Sequence, residues 1–584
     1  MKRFFVTFLA VIVAQIVLAV VFFGGLMMFA TIVISQAGDA AKVPPRACLV
    51  QEIPAELLEH EPLKRIPIPR HMTTQTSILA NLEHARADDR VEKVVLKLNA
   101  AAIGWGKMAE IRRRVTQLRE AGKPVYAYVP FAVNRTLYLA AACDSIFIAP
   151  EGAIWFTGLM SERYYLKDMF EEVGIDVQYS KIDEYKAAVE TYLRDDMSDA
   201  ARENAEWILE DLYEQLVTTI AADRGVDRAE VEGWLEIAQF TPQEAVDAGL
   251  IDGALFWEDL EALLAGDGGE IEVIEGRDYA QIPRSSFGVR GPKIAVVHGQ
   301  GMITLGESGW AFPFGLSMGD ETMVTALEKV LEDDDIEGIM LRLDTPGGLS
   351  IASDRIGRMV ARVAAEKPLV VSSVDLNASG GYMISYRSPT IVALPNSIVG
   401  SIGSFALRPN MAGLMDRLGV DFDRVTVGPH ATLFSGVVSL SDEELQRFRA
   451  VHRRSYEEWI AGVAKHRQMT VERVDDLARG QVYTGRQALE NGLIDALGGF
   501  DEALAMLKVQ MGLAEDAPVT VLHYPQPKGL LEMMAEGDWP AAAAYVAGGV
   551  GLRTVEEEQL RESARFWMTY LKSRDALYVL PWKF

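Results

Sequence analysis

A chain of 584 residues is too long for one hydrophobic core, so two or more domains are expected. It carries 57 Lys and Arg against 83 Asp and Glu, a formal net charge of −26. No basic run interleaved with aromatics appears, which argues against a nucleic-acid partner. The two cysteines, Cys48 and Cys143, have neither metal-ligand nor redox spacing and do not suggest a disulfide.

Residues Phe4 to Ile34 contain no charged side chain. At ~1.5 Å per residue such a helix crosses a ~30 Å hydrocarbon core with room for tilt. A cleaved signal peptide has an apolar region of only about 7–15 residues. Residues 1–36 are therefore expected to be a cytoplasmic tip and a retained single-pass membrane anchor, with Lys2 and Arg3 on the inner side by the positive-inside rule. The stretch Gln36-Ala-Gly-Asp-Ala-Ala41 resembles a cleavage site and keeps the alternative open, and Lys42 and Arg46 weaken the charge asymmetry.

After an irregular, Pro-containing arm over 37–75, apolar strands alternate with amphipathic helices, the pattern of an α/β domain. Val94 to Leu98 reads as a strand, and Met108 to Ala121 as a helix with Ile111, Val115 and Leu118 on one side. Gly122 to Val129 and Asp144 to Pro150 read as further strands.

The pattern then repeats. Ile339 to Leu343 echoes Val94 to Leu98, and Glu366-Lys-Pro-Leu-Val-Val echoes Gly122-Lys-Pro-Val-Tyr-Ala. Phe240-Thr-Pro-Gln-Glu-Ala-Val-Asp-Ala-Gly-Leu-Ile-Asp252 matches Tyr483-Thr-Gly-Arg-Gln-Ala-Leu-Glu-Asn-Gly-Leu-Ile-Asp495 nearly position for position. We read two tandem copies of one α/β unit, over 37–290 and 291–512, followed by an extension over 513–584. The period is far too long for a solenoid.

The copies differ where chemistry is expected. Arg135 stands where the second copy has Ser379, and Lys186, after Tyr185, stands where it has Ala431, after His430. The turn Thr345-Pro346-Gly347-Gly348 corresponds to the unrelated Ala100 to Ile103. Each copy has kept a different half of one site. Ser379, in Asn377-Ala-Ser-Gly-Gly-Tyr382, follows an apolar strand and opens a helix expected near Tyr382. A serine needs a base to become a nucleophile near pH 7, and a desolvated lysine can be that base. Lys186 is the candidate, after the strand Ile175 to Tyr179 and before small apolar residues. The glycine turn before a helix over 352–365 lets backbone N–H groups approach a ligand closely. Gly348 and Gly380 are therefore the expected oxyanion-hole donors, with Gly347 in support.

Together, Asp344-Thr-Pro-Gly-Gly348, Asn377-Ala-Ser-Gly-Gly-Tyr382, Gly400-Ser-Ile-Gly403 and Tyr185-Lys-Ala-Ala-Val-Glu190 followed by Arg194-Asp-Asp-Met-Ser198 resemble the signal peptide peptidase A (protease IV) family in its long, duplicated form. That resemblance implies two ββα spiral domains of the Clp protease and crotonase type. It implies a membrane-anchored serine endopeptidase that degrades released signal peptides, forming a tetrameric bowl on the outer face of the bacterial inner membrane. It further implies Ser379 as nucleophile, Lys186 as general base and Ser401 as a hydroxyl that positions the lysine. No cofactor and no metal are expected. Thr345 and Asn377 depart from the family's usual residues and are expected to tune the substrate groove.

Three other readings compete. His430 could serve a Ser–His–Asp arrangement, a related acyl-CoA enzyme would use the same turn amides, and an inactive scaffold would need neither. In the extension, Val555 to Arg574 reads as a helix. The closing 576–584 could be a strand, a subunit contact or a membrane-surface segment.

Overall fold

The computed structural model describes residues 42–61, 73–99, 103–265, 272–282, 291–311 and 315–526. The expected anchor over 4–34, the helix over 555–574 and the closing segment lie outside them. Among the described residues no helix is long and apolar enough to cross a membrane.

The first half builds a mostly parallel sheet. Its strands are β1 (Ala47–Ile53), β2 (Val91–Leu98), β3 (Val125–Val133) and β4 (Ser145–Trp155). A separate strand, β5 (Asp176–Lys181), leaves this sheet, and β6 (Gln239–Phe240), β7 (Gly253–Ala254) and β8 (Glu272–Glu275) return to it. The order is β6-β4-β3-β2-β1-β8, with β7 also on β4. Its strands are buried on both faces, which is why they read as near-continuous apolar runs rather than alternating ones.

The second half repeats this arrangement. Strand β9 (Lys293–Gln300) is followed by a small sheet of β10 (Met302–Thr304), β11 (Gly309–Ala311) and β12 (Gly315–Gly319). Then come β13 (Ile336–Thr345), β14 (Leu369–Ala378), β15 (Ile391–Ala393), β16 (Ile398–Gly400), β17 (Phe405–Asn410), β18 (Val482–Thr484), β19 (Ala496–Leu497) and β20 (Thr520–Tyr524). The order β18-β16-β14-β13-β9-β20 matches the first sheet strand for strand. In both halves a short strand pairs antiparallel at one end, Phe240 on Ile154 and Tyr483 on Val399. In both, a late strand pairs parallel with the first, β8 on β1 and β20 on β9. The duplication seen in the residues is thus a duplication of topology.

Helix α1 (Trp105–Glu120) shows how the halves are joined. Ile111, Val115 and Leu118 are fully buried in the first core, as the periodicity predicts. Its other stripe, Lys107, Glu110 and Arg114, is polar and also buried, because it packs on the second half. Lys107 reaches Asp344 and, at 2.6 Å, Asp375. The Asp375 carboxylate also accepts from the Lys107 backbone N–H at 3.0 Å, capping the helix N-terminus from the other half, where negative charge is favoured. Burial alone would lower the Lys107 ammonium's pKa, but the two carboxylates outweigh it and raise it. Beside them Arg342 of β13, fully buried, pairs with Glu59 and Glu110.

Element ends differ slightly from expectation. The strand expected to end at Pro150 runs to Trp155, past a register shift between Val129 and Phe131 of its neighbour β3. The helix after the glycine turn spans Ser350–Glu366. Cys48 and Cys143 are buried free thiols.

Candidate active site

Ser379 follows β14 and is the N-cap residue of the short helix α2 (Gly380–Ser385), which starts at the residue after the serine rather than near Tyr382. Its backbone lies at φ 55 and ψ −114, a conformation that costs a residue with a Cβ free energy and clusters at functional sites. The Ser379 N–H is tied to the Gly400 carbonyl at 2.8 Å, so the next amides, Gly380 and Gly381, are the ones left facing outward at the helix start. Glycine is required beside the serine. A Cβ on Gly381 would sit 2.7 Å from the Thr345 methyl, and one on Gly380 would run into the Ser353 hydroxyl.

The Thr345-Pro-Gly-Gly turn lies against this elbow. A Cβ on Gly347, itself at φ +102, would sit 2.7 Å from the Ser379 Cβ and 2.8 Å from the Gly380 nitrogen. The Gly347 N–H is consumed by the Thr345 hydroxyl at 3.1 Å. Strand β10 pins the turn from outside: the Ile303 N–H donates to Gly347 O at 2.9 Å and the Leu349 N–H to Ile303 O at 3.0 Å. In such a bridge the residue between, Gly348, turns its own N–H to the opposite side, towards the serine. A Cβ on Gly380 would lie 3.1 Å from the Gly348 nitrogen. Among the described residues the Gly348 and Gly380 N–H groups have no hydrogen-bond partner, and they lie close together beside the serine.

Lys186 arrives from the other half. Strand β5 pairs antiparallel with β17, from Lys181 on Phe405 to Asp176 on Asn410, and the chain then turns so that the Tyr185 N–H donates to Arg479 O at 3.1 Å. Its Nζ lies 2.9 Å from Ser379 Oγ, 2.8 Å from Ser401 Oγ and 3.1 Å from Ser401 O. The side chain is buried, 4% exposed, and burial pushes its pKa down to about 7. No carboxylate opposes that shift, in contrast with Lys107, so near neutral pH a large share of the amine is uncharged.

Ser401 holds φ 52 and donates its N–H to Gln481 O at 2.7 Å. The loop supplying Gln481 contains a residue that the sequence did not single out, Gly480. A Cβ there would sit 2.5 Å from the Lys186 Cα, so only glycine lets the loop embrace the lysine backbone. No local signal marks it, since the partner lies in the other repeat.

Thr345 and Asn377, expected to tune the groove, are both fully buried, so any such influence is exerted from beneath the turn and the elbow. Thr345 holds the turn, and Asn377 braces the elbow from below through Ser373 at 2.7 Å and Ser385 at 3.0 Å. His430 is exposed and sits 2.9 Å from Glu444 at the start of the helix Asp442–Arg467. It takes no part in the contacts of Ser379.

A half-buried serine hydroxyl, a buried amine within hydrogen-bonding range and two backbone amides beside them suit acyl transfer. Known proteins agree. The chain is 27% identical over 465 residues to the chloroplastic serine protease SPPA of Arabidopsis thaliana, covering 78% of this chain and 68% of that one. It is 31% identical over 444 residues to Protease 4 of Salmonella typhi, covering 73% of this chain and 70% of the relative. An Enterococcus faecium protein carrying the name signal peptide peptidase SppA is 33% identical over 205 residues, 35% of this chain and 59% of that one. The model of peptidase family S49 matches twice, over 117–268 and 361–514, once in each topological repeat. The chain is therefore a member of peptidase family S49, a serine peptidase whose family unit occurs twice in tandem.

Proposed function

We propose that Ser379 is the nucleophile and Lys186 its general base. The 2.9 Å separation of Nζ and Oγ around a buried amine carries this reading. A neutral amine has two N–H groups and one lone pair. Directing the N–H groups at Ser401 O and Oγ leaves the lone pair aimed at the Ser379 hydroxyl, which then donates to it. Attack on a peptide carbonyl moves the serine proton to Lys186, and the Gly348 and Gly380 amides hold the oxyanion. Lys186 then protonates the leaving amine, and a water repeats the sequence on the acyl-enzyme. Ser401 and Gly347 support the lysine and the turn.

Substrates in this reading are extended apolar peptides, released signal peptides foremost, paired with strand edges. The apolar run 4–34 anchors the chain in a bacterial inner membrane with both repeats, 37–290 and 291–512, on the outer side. The repeats take the spiral form of the Clp protease and crotonase domains. A homo-oligomer, a tetramer by resemblance, is supported by an unused joint. The repeat equivalents of β17 and β5, residues 161–166 and 421–426, carry no strand pairing, and Met160, Val425 and Val427 are 79, 97 and 94% exposed. A second copy could remake the β5–β17 pairing head to tail, and such contacts close into rings.

A fluorophosphonate probe tests the nucleophile. It is expected to label the full-length protein at one serine, identified as Ser379 by peptide mapping, and to leave Ser379→Ala unlabelled. Labelling elsewhere, with Ser379 unmodified, would remove the assignment.

A further inference from the structure

Away from the serine, three histidines from distant parts of the chain meet. His60 follows β1 in the first half, His298 lies in β9, and His523 lies in the neighbouring edge strand β20. Each can offer one ring nitrogen, and the three nitrogens lie within 4.8 Å of one another. His298 Nε2 and His523 Nδ1 share a hydrogen bond at 2.9 Å, and the His60 ring stacks on that of His298 with centroids 4.3 Å and planes 8° apart. In a tetrahedral site with Zn–N of ~2.0–2.1 Å, ligand nitrogens stand about 3.3 Å apart. Reaching that spacing turns the rings out of their stack, so that the three lone pairs converge.

The surroundings favour a cation. The Nε2 of His298 meets His523, and its Nδ1, on the other side of the ring, is buried and faces Glu59, where a carboxylate can orient a metal-bound imidazole. Next to it, Arg342 is bracketed by Glu59 and Glu110, a formal charge of +1 − 2 = −1, and Glu59 Oε1 lies 3.9 Å from His298 Nδ1. His60 and His523 also border a cavity of about 170 Å³ lined by Glu61, Thr74 and Gln51, from which a fourth ligand, such as water, can enter.

We infer that His60, His298 and His523 form a site for one divalent transition-metal ion of the zinc class. Three imidazoles select such ions over calcium or magnesium, which take oxygen ligands. The ion ties the first-half arm to the first and last strands of the second sheet. It adds a cross-link to an interface that also holds ion pairs, hydrogen bonds and apolar contacts such as Ile182 in the second core. Nothing in the peptidase reading depends on it.

Cobalt(II) provides the probe. The full-length protein, stripped with chelator and dialysed, is titrated with Co²⁺ and followed by visible absorption. One saturating equivalent with the intense bands of tetrahedral coordination is expected, displaced by Zn²⁺, with a rise in the thermal midpoint. Since losing even an outer-shell partner costs 10–100-fold in affinity, His523→Gln is expected to weaken binding by about tenfold or more, and His298→Ala likewise. His523 lies on an edge strand, so its variant is the one expected to fold if His298→Ala does not. Absence of a saturable tetrahedral spectrum in the wild-type protein, or wild-type affinity in His523→Gln, would overturn the site.

Discussion

Replacing Lys186 by Met is expected to lower kcat/KM on an apolar peptide by about 10⁴-fold or more, the scale seen when one member of a serine-protease triad is removed. Met keeps most of the buried volume and cannot accept a proton. The site favours the exchange structurally, because burial already opposes the lysine's charge. The cost falls on Ser401, whose carbonyl and hydroxyl lose their donor, and on the Ser379 hydroxyl, which loses its partner. The folded protein should therefore survive with a thermal midpoint close to that of wild type. Lys186→Arg is expected to be equally inactive, since a guanidinium does not give up its proton in this pH range. That pair of variants separates a base from a mere positive charge. Steady-state rates near those of wild type in Lys186→Met would show that the proton goes elsewhere.

The second large effect is on stability. Lys107→Met is expected to destabilise the protein by about 3–5 kcal/mol, the range for breaking a buried pair by removing one partner. Asp344 and Asp375 would be left facing each other without their ammonium, and the cap on α1 would be perturbed. Differential scanning calorimetry should record a thermal midpoint several degrees lower. Activity should fall as well, because Asp344 begins the turn that carries Gly347 and Gly348. Adding Asp375→Asn to Lys107→Met should recover part of the loss by removing one unpaired charge. A Lys107→Met protein as stable as wild type would mean that the ion cluster does not hold the halves together.

Much of the site was readable in the residues because the chain carries its own comparison. Where two repeats agree, the positions serve the fold they share; where they disagree, as at Arg135 against Ser379, one copy has been released from a task. That contrast exposed Ser379, Lys186 and the Gly347–Gly348 turn before any coordinates. It did not expose residues whose roles arise only between the repeats. Lys107 reads as an ordinary helix lysine until Asp344 and Asp375 appear opposite it. Gly480 is invisible because its reason is the backbone of Lys186. Thr345 and Asn377 stand out only as departures from the family's usual residues, and the inward turn of both side chains could not be read from the motifs. The three histidines are separated by hundreds of residues, so no spacing rule finds them. Strand ends were misjudged for a simpler reason: β4 continues through Pro150 and Gly152 by shifting register against β3, which hydrophobic periodicity does not register.

The central claim is that an uncharged Lys186 takes the serine proton, and the pH dependence of kcat/KM tests it most directly. The neutral form is the active one, so the rate should rise with pH through a single ionisation near 7, the value to which burial lowers the amine. It should level off above and fall about tenfold per pH unit well below. An ascending limb near ~10.4, the reference lysine value, or a rate that is flat across that range, would contradict the account.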